Sequence, residues 1–376
     1  MRAPLDQELR QWVDAGVIDL RTADRIRAFA TLPPSPSPGL RWPAVLAVAF
    51  GAIMVGAGVL LFVAAHWEDL SPTERFLLVL ALVAGFHLAA GALMPRMRAL
   101  GLALHAVGTV ALGGGIFLAG QIFNLQEHWP GGILLWALGA LLAWWVLRDW
   151  PQATLAALLI PAWIASEWGV RGQHFIGTQK FLLEFLTLLA LTYLSAQCGD
   201  DASNFRRSLK WIGGLALLPL AVILAASGEG SWYARHTGPL SLRAAGYLMA
   251  YILPLTVAGV LRHKAAVWNV AFGFWVLVLG LFNVSDKFGE LAIDGLCVLG
   301  AMGLVYWGIA ERRRERINLG VAGFAITVMV FYFSSVMGKL GRSASLIAFG
   351  LLFLLGGWKL EQLRRKLVAR AAGGKP

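Results

Sequence analysis

Charge is what this sequence has least of. Only 14% of its 376 residues are Asp, Glu, Lys or Arg, while 58% are hydrophobic; a soluble domain carries about 25% charged residues. That balance excludes an ordinary soluble globule and places the chain in the membrane class. Cysteine is nearly missing too. Cys198 and Cys297 stand far apart, each in or beside an apolar run, and such a cysteine behaves as a small hydrophobe, so neither a disulfide nor a metal site is expected. No nucleotide-binding loop, nucleophile elbow, zinc-type HExxH or CxxC occurs. The glycine triplet 113–115 lies inside an apolar run without a preceding strand and reads as packing, with Ala111, Gly115 and Ala119 spaced by four. The first 30 residues hold no continuous apolar core, so no signal peptide is expected.

What the chain does have is long apolar runs. Trp42 to Ala65 holds no charge, and at 1.5 Å per residue it crosses a hydrocarbon core of roughly 30 Å. A polar turn, His66 to Pro72, follows, and the next run begins at once. Windowed hydropathy predicts about twelve spans. The first six lie near 42–65, 73–94, 99–120, 130–148, 152–168 and 181–197. The rest lie near 209–227, 242–261, 265–283, 290–310, 317–336 and 343–360. The span 152–168 is the weakest, being short and holding Pro161, and is open to a break or a re-entrant path.

The expected architecture is therefore an all-α, polytopic membrane helix bundle over 42–360. It is preceded by a small cytoplasmic helical hairpin (1–31) and a proline-rich linker (32–41), and followed by a basic tail (361–376). In the hairpin Leu9, Trp12, Val13, Val17 and Ile18, then Ile26 and Phe29, recur near helical spacing. Gly16 breaks the pattern, and Asp19 or Thr22 is the expected cap of the second helix. Its greasy face is expected to dock within the chain, lie on the membrane or hold a cytoplasmic protein partner.

The net charge of +11 falls in short clusters between apolar runs, a topology signal rather than a nucleic-acid footprint. With the N-terminus cytoplasmic, one face receives Arg96, Arg98, Arg148, Arg206, Arg207, Lys210, Arg262, Lys264 and the runs 312–316 and 364–370. The opposite face collects acids, among them Glu68, Asp69, Glu127, Glu167 and Glu290. Both termini are then expected in the cytoplasm.

Several stretches have a familiar look. Leu9-x-x-Trp12-x-x-x-Gly16-x-Ile18 with Ala23-Asp24-Arg25-Ile26, GVLLFVAAHWEDLSP (58–72), GQIFNLQ (120–126) and LLWALGALLAWWVLRD (134–149) resemble the bacterial family of predicted membrane proteins catalogued as domain of unknown function 2157. NLG (318–320) and the stretch 341–367 resemble the tail of related full-length members, whereas 150–310 carries no family motif. The resemblance implies an integral protein of the bacterial inner membrane and brings no established activity or catalytic residue. A weaker likeness is internal: 118–147 resembles 277–307, with Phe123-Asn124 matching Phe282-Asn283, as in transporters built from repeats.

Charges inside spans are the first functional suspects, because hydrocarbon makes them costly. Glu184 has Lys180 one turn before it. Asp294 has no base within four residues and needs a partner from another helix, for which Arg243 is at matching depth, unless it snorkels to the headgroups. In the outer loops His66, Glu68 and Asp69, then Asn124, Glu127 and His128, gather polar groups beside tryptophans. They make either a carbohydrate, amine or metal pocket, or interfacial anchors and solvated acids. His87 and His105 lie at equal depth on consecutive spans joined by 95–98. Such a pair can share a proton, bind a metal or clamp a haem, and the expectation here is proximity without a cofactor or metal.

Three functions follow: a non-enzymatic structural or regulatory membrane protein, a secondary transporter with a site near Asp294 and Glu184, or an enzyme acting on a lipid-linked or envelope substrate at the outer face. The first is preferred from sequence. Two related halves around a midplane cavity favour the second, and two carboxylates in one outer cleft favour the third.

Overall fold

Residues 3–31, 54, 70–123, 128–172, 178–197, 203–227, 239–282 and 287–336, with positions 350, 356, 357, 362 and 365, are described by a computed structural model of the chain. The chain divides into two units, Met1–Ser71 and Pro72–Pro376. Among the described residues every regular element is helical.

In the first unit α1 (Ala3–Asp14) and α2 (Leu20–Thr31) are joined by a turn in which Gly16 adopts φ 69°, a left-handed conformation that glycine reaches without strain. Asp19 caps α2, its Oδ1 accepting from the Thr22 backbone N–H at 3.0 Å. The Thr22 side chain, and after it this backbone N–H, hold the Asp19 carboxyl below the usual carboxylate range. Leu9 and Ala23 are buried, while Trp12, Val17 and Leu20 are exposed.

The second unit comprises α3 (Pro72–Leu93), α4 (Arg98–Ile122), α5 (Pro130–Leu147), α6 (Trp150–Gly172), α7 (Thr178–Leu194) and α8 (Asn204–Ala226). Then come α9 (Leu240–Tyr247, a π turn Leu248–Ile252, and Leu253–Arg262), α10 (Val267–Leu281), α11 (Lys287–Ala310) and α12 (Arg314–Phe331 with a π turn Tyr332–Val336). Eight helical stretches among the described residues are long and apolar enough to cross a membrane. One of them, Leu240–Leu281, has 42 residues and would span about 63 Å if straight. It folds back instead. His263 takes φ 51° and ψ −124°, and Gly273 lies against both Leu188 and Leu255, so α9 and α10 run as neighbours. The helices α3 to α12 coincide with the second to eleventh expected spans; apart from positions 54, 350, 356 and 357, the spans 42–65 and 343–360 lie outside the described residues.

The span expected to be weakest forms one continuous helix. α6 runs unbroken for 23 residues through Pro161 and is long and apolar enough to cross a membrane. Proline removes the N–H that would bond the carbonyl four residues earlier, Ala157. Tyr193 of α7 supplies the missing donor, its hydroxyl 2.6 Å from that carbonyl. The π turn of α9 ends two residues before Pro254, the kind of local adjustment by which membrane helices accommodate the backbone groups a proline frees.

Consecutive helices pair most closely, α3 with α4, α5 with α6, α7 with α8 and α11 with α12. α7 is the centre. It touches α6, α8, α9 and α10, and Phe185, Leu188, Leu191 and Leu194 are fully buried. Large apolar side chains such as Leu88, Leu215, Phe274 and Leu299 face outward on the other helices, an apolar exterior suited to hydrocarbon.

Candidate functional site

Five helices, α7, α8 and α10 to α12, enclose a cavity of about 320 Å³. Its walls are largely apolar, formed by residues such as Leu191, Leu217, Phe272 and Leu304, with Glu290, Asp294, Thr327 and Ser334 as polar exceptions; Glu290 and Asp294 lie toward the start of α11 and Ser334 near the end of α12. Glu290 and Asp294 are one helical turn apart on α11, a spacing that puts both carboxylates on the same face. From Glu290 to Leu304 the lining follows α11 for about 21 Å at 1.5 Å per residue. Among the described residues Asp294 has no ion-pair partner, so Arg243 does not neutralise it. Cys297, a free thiol, lines the same cavity. The cavity thus combines a mostly apolar lining with two carboxyl groups toward one end of α11. Sequence reasoning singled out Asp294 and passed over Glu290, although the four-residue spacing was there to see.

The structure brings two other expected residues together. His87 of α3 and His105 of α4 face each other with Nδ1 atoms 3.0 Å apart, ring centroids 5.2 Å apart and planes tilted by 38°. Nearby on the sequence of α4, Thr109 bonds back to the His105 carbonyl and its own carbonyl accepts from Trp136 Nε1 at 2.8 Å. At the junction of α5 and α6, burial pushes the Asp149 carboxyl above the usual carboxylate range, against the pull of the Gln152 N–H and the two imidazoles.

A third polar cluster was not anticipated. Glu311, just past α11, accepts from Arg262 of α9, from Arg316 of α12 at 2.7 Å and from Trp307 Nε1 at 2.7 Å. Both guanidinium groups also stack on the Trp307 ring, at 5.0 Å and 4.3 Å from its centroid. Burial works against the Glu311 charge, yet Arg316, Trp307 and Arg262 together hold its carboxyl below the usual range. These arginines read in sequence as loop charges. In the fold Arg262 and Arg316 are buried and tie three helices together. Arg206 does similar work, donating to the carbonyls of Ala196 and Leu261 at the ends of α7 and α9.

At the opposite ends of the helices His128 bonds Glu167 at 2.6 Å, and Arg171 pairs with the same carboxylate at 2.6 Å. Glu167 and Arg171 also border a second cavity of about 530 Å³ with Trp163, Trp168 and Ser241. Glu184 is fully buried on α7 and does not line the Asp294 cavity. Lys180, one turn earlier, donates to the Phe282 carbonyl beyond α10 at 3.2 Å. His66, Glu68, Asp69, Asn124 and Glu127 lie outside the described residues. Among the described residues no group of three or more His, Cys, Asp or Glu is placed to hold a metal ion.

Comparison with curated proteins and with solved structures finds no match. Residues 10–153, which run from α1 to the start of α6 and include the His87–His105 pair, match the family described as predicted membrane protein, domain of unknown function 2157, the family that the motifs of this stretch resemble.

Proposed function

We propose that this protein is a multi-pass carrier of the bacterial inner membrane, with twelve spans and both termini cytoplasmic, that binds an amphipathic cation in the Asp294 cavity. One observation supports it above the others: an elongated apolar cavity with two carboxylates gathered at one end and no cation paired with Asp294 among the described residues. A carboxylate in that position is costly unless something compensates it, and an alkylammonium group does so while its chain fills the slot. In the orientation set by the loop charges, Glu290 and Asp294 stand at the outer end. The twelve-span count draws support from the match of α3 to α12 with ten expected spans. The exposed Trp12, Val17 and Leu20 support a role for residues 1–31 in holding a cytoplasmic protein partner.

The experiment uses Cys297 as a reporter. In the full chain carrying Cys198→Ser, reconstituted in nanodiscs, dodecylamine should slow modification of Cys297 by N-ethylmaleimide, and dodecanoate should not. Asp294→Asn should abolish the protection. Equal protection by both amphiphiles, or protection that survives Asp294→Asn, would sink the assignment.

A further inference from the structure

We propose that His87 and His105 form one proton-binding site inside the membrane unit, in which two imidazoles share an N–H···N hydrogen bond and accept a single further proton, with Asp149 as counter-ion. The geometry leaves few alternatives for the protons. Two lone pairs do not face each other at 3.0 Å, so one Nδ1 carries a hydrogen and donates it to the other Nδ1. The accepting ring must then keep its own hydrogen on Nε2. In the neutral pair the only basic atom left is Nε2 of the donor ring.

A proton arriving there makes that ring an imidazolium, and its Nδ1–H becomes a charge-assisted donor to the neutral partner. When the shared hydrogen crosses to the partner, the positive charge crosses with it. The partner can then release the proton on its Nε2. One proton enters at one Nε2, one leaves at the other, and the rings end neutral with their tautomers exchanged. A second added proton is opposed by like charge across the bond, so the pair takes up one.

The surroundings are built for this arrangement. Gly108 admits the His87 ring to the surface of α4, since a Cβ there would stand 2.9 Å from it. His105 is buried and His87 partly so. Among the described residues the charged groups at this end of α3 to α6 are Arg96, Arg98, Arg148 and Asp149. The three arginines are exposed, whereas Asp149 is buried, with Oδ1 accepting from the Gln152 N–H at 3.0 Å and Oδ2 unpartnered. Both imidazoles act electrostatically on the Asp149 carboxyl. An ionised Asp149 would compensate a proton on the pair.

The test is ¹⁵N NMR of the native full chain in nanodiscs with labelled histidine. At mildly alkaline pH a scalar coupling should join the Nδ1 atoms of two different rings, one ring should be an Nδ1–H tautomer, and His87→Gln or His105→Gln should each remove the coupling. Between mildly alkaline and mildly acidic pH the pair should take up one proton, and Asp149→Asn should move that uptake to more acid pH. Two Nε2–H tautomers without coupling, or two independent titrations, would overturn the shared site, and an unmoved midpoint would overturn the part given to Asp149. One equivalent of zinc or copper in the purified chain, lost in both histidine variants, would replace the proton by a metal.

Discussion

Tyr193 donates its hydroxyl to the carbonyl of Ala157 across the α6–α7 contact at 2.6 Å. Ala157 stands four residues before Pro161, so this is the carbonyl that the proline leaves without a helical donor. Tyr193→Phe should lower stability by about 1 kcal/mol, the usual worth of one such bond. In a Pro161→Ala background residue 161 regains its N–H, and the same Tyr193→Phe change should cost less. A thermal-unfolding double-mutant cycle reads the difference, and equal costs in both backgrounds would break the proposed link between the proline and the tyrosine.

Gly213 and Gly214 should respond oppositely to alanine. A Cβ on Gly213 would stand 2.3 Å from the Ala190 carbonyl oxygen and from the Leu194 backbone nitrogen, rigid atoms that cannot step aside. Gly213→Ala should cost about 1–3 kcal/mol or prevent α7–α8 packing altogether. At Gly214 the nearest atoms are ends of Leu194 and Leu319 at 3.7 Å and 3.8 Å, ordinary contact, so Gly214→Ala should be neutral or stabilising by up to about 1 kcal/mol. Melting temperatures of the two variants decide it.

Glu311→Gln keeps an acceptor for Trp307 but leaves Arg262 and Arg316 without their anion. The expected loss is about 3–5 kcal/mol, since both guanidinium groups are buried. The pH dependence has a definite sign. The Glu311 carboxyl is held below its ordinary value, so its contribution is complete above the usual glutamate range and is lost as pH falls through the depressed value. Wild type should therefore lose stability on acidification over that window, and Glu311→Gln should show a flatter profile there.

Asp294→Leu separates binding from folding. With no ion-pair partner for Asp294 among the described residues, removing its charge strands no cation. Thermal stability should hold or rise while dodecylamine protection of Cys297 disappears. A clear drop in melting temperature would mark Asp294 as a structural group instead.

Orientation is checked by labelling. Ser71→Cys should react with an impermeant thiol reagent added outside intact cells, and Ser208→Cys should react only after permeabilisation. The reverse pattern would invert every statement about inner and outer ends.

Depth along a helix and the pairing of α3 with α4 across a short connection were legible from sequence; contacts between helices distant in the chain were not. The runs that became α3 to α12 were visible because their length and apolarity are one-dimensional quantities. With a fixed rise per residue and a short connection at 95–98, His87 and His105 had to lie at equal depth, and the structure adds that their rings turn toward each other. The break in 240–281 also showed in sequence, through the polar Arg262-His263-Lys264 between two apolar runs.

Rotation about each axis and the choice of partner helix belong to the tertiary structure. A period of 3.6 residues says which side chains share a face, never what that face meets. So Glu290 joined Asp294 at a cavity only once α8, α10 and α12 had closed around α11. Arg262 and Glu311, 49 residues apart, met only because the fold brings the C-terminal ends of α9 and α11 within side-chain reach. The loop arginines looked alike in sequence because each serves the positive-inside rule. Packing alone decided that Arg206, Arg262 and Arg316 would also satisfy carbonyls and a carboxylate inside the bundle, where an unpaired polar group is most costly.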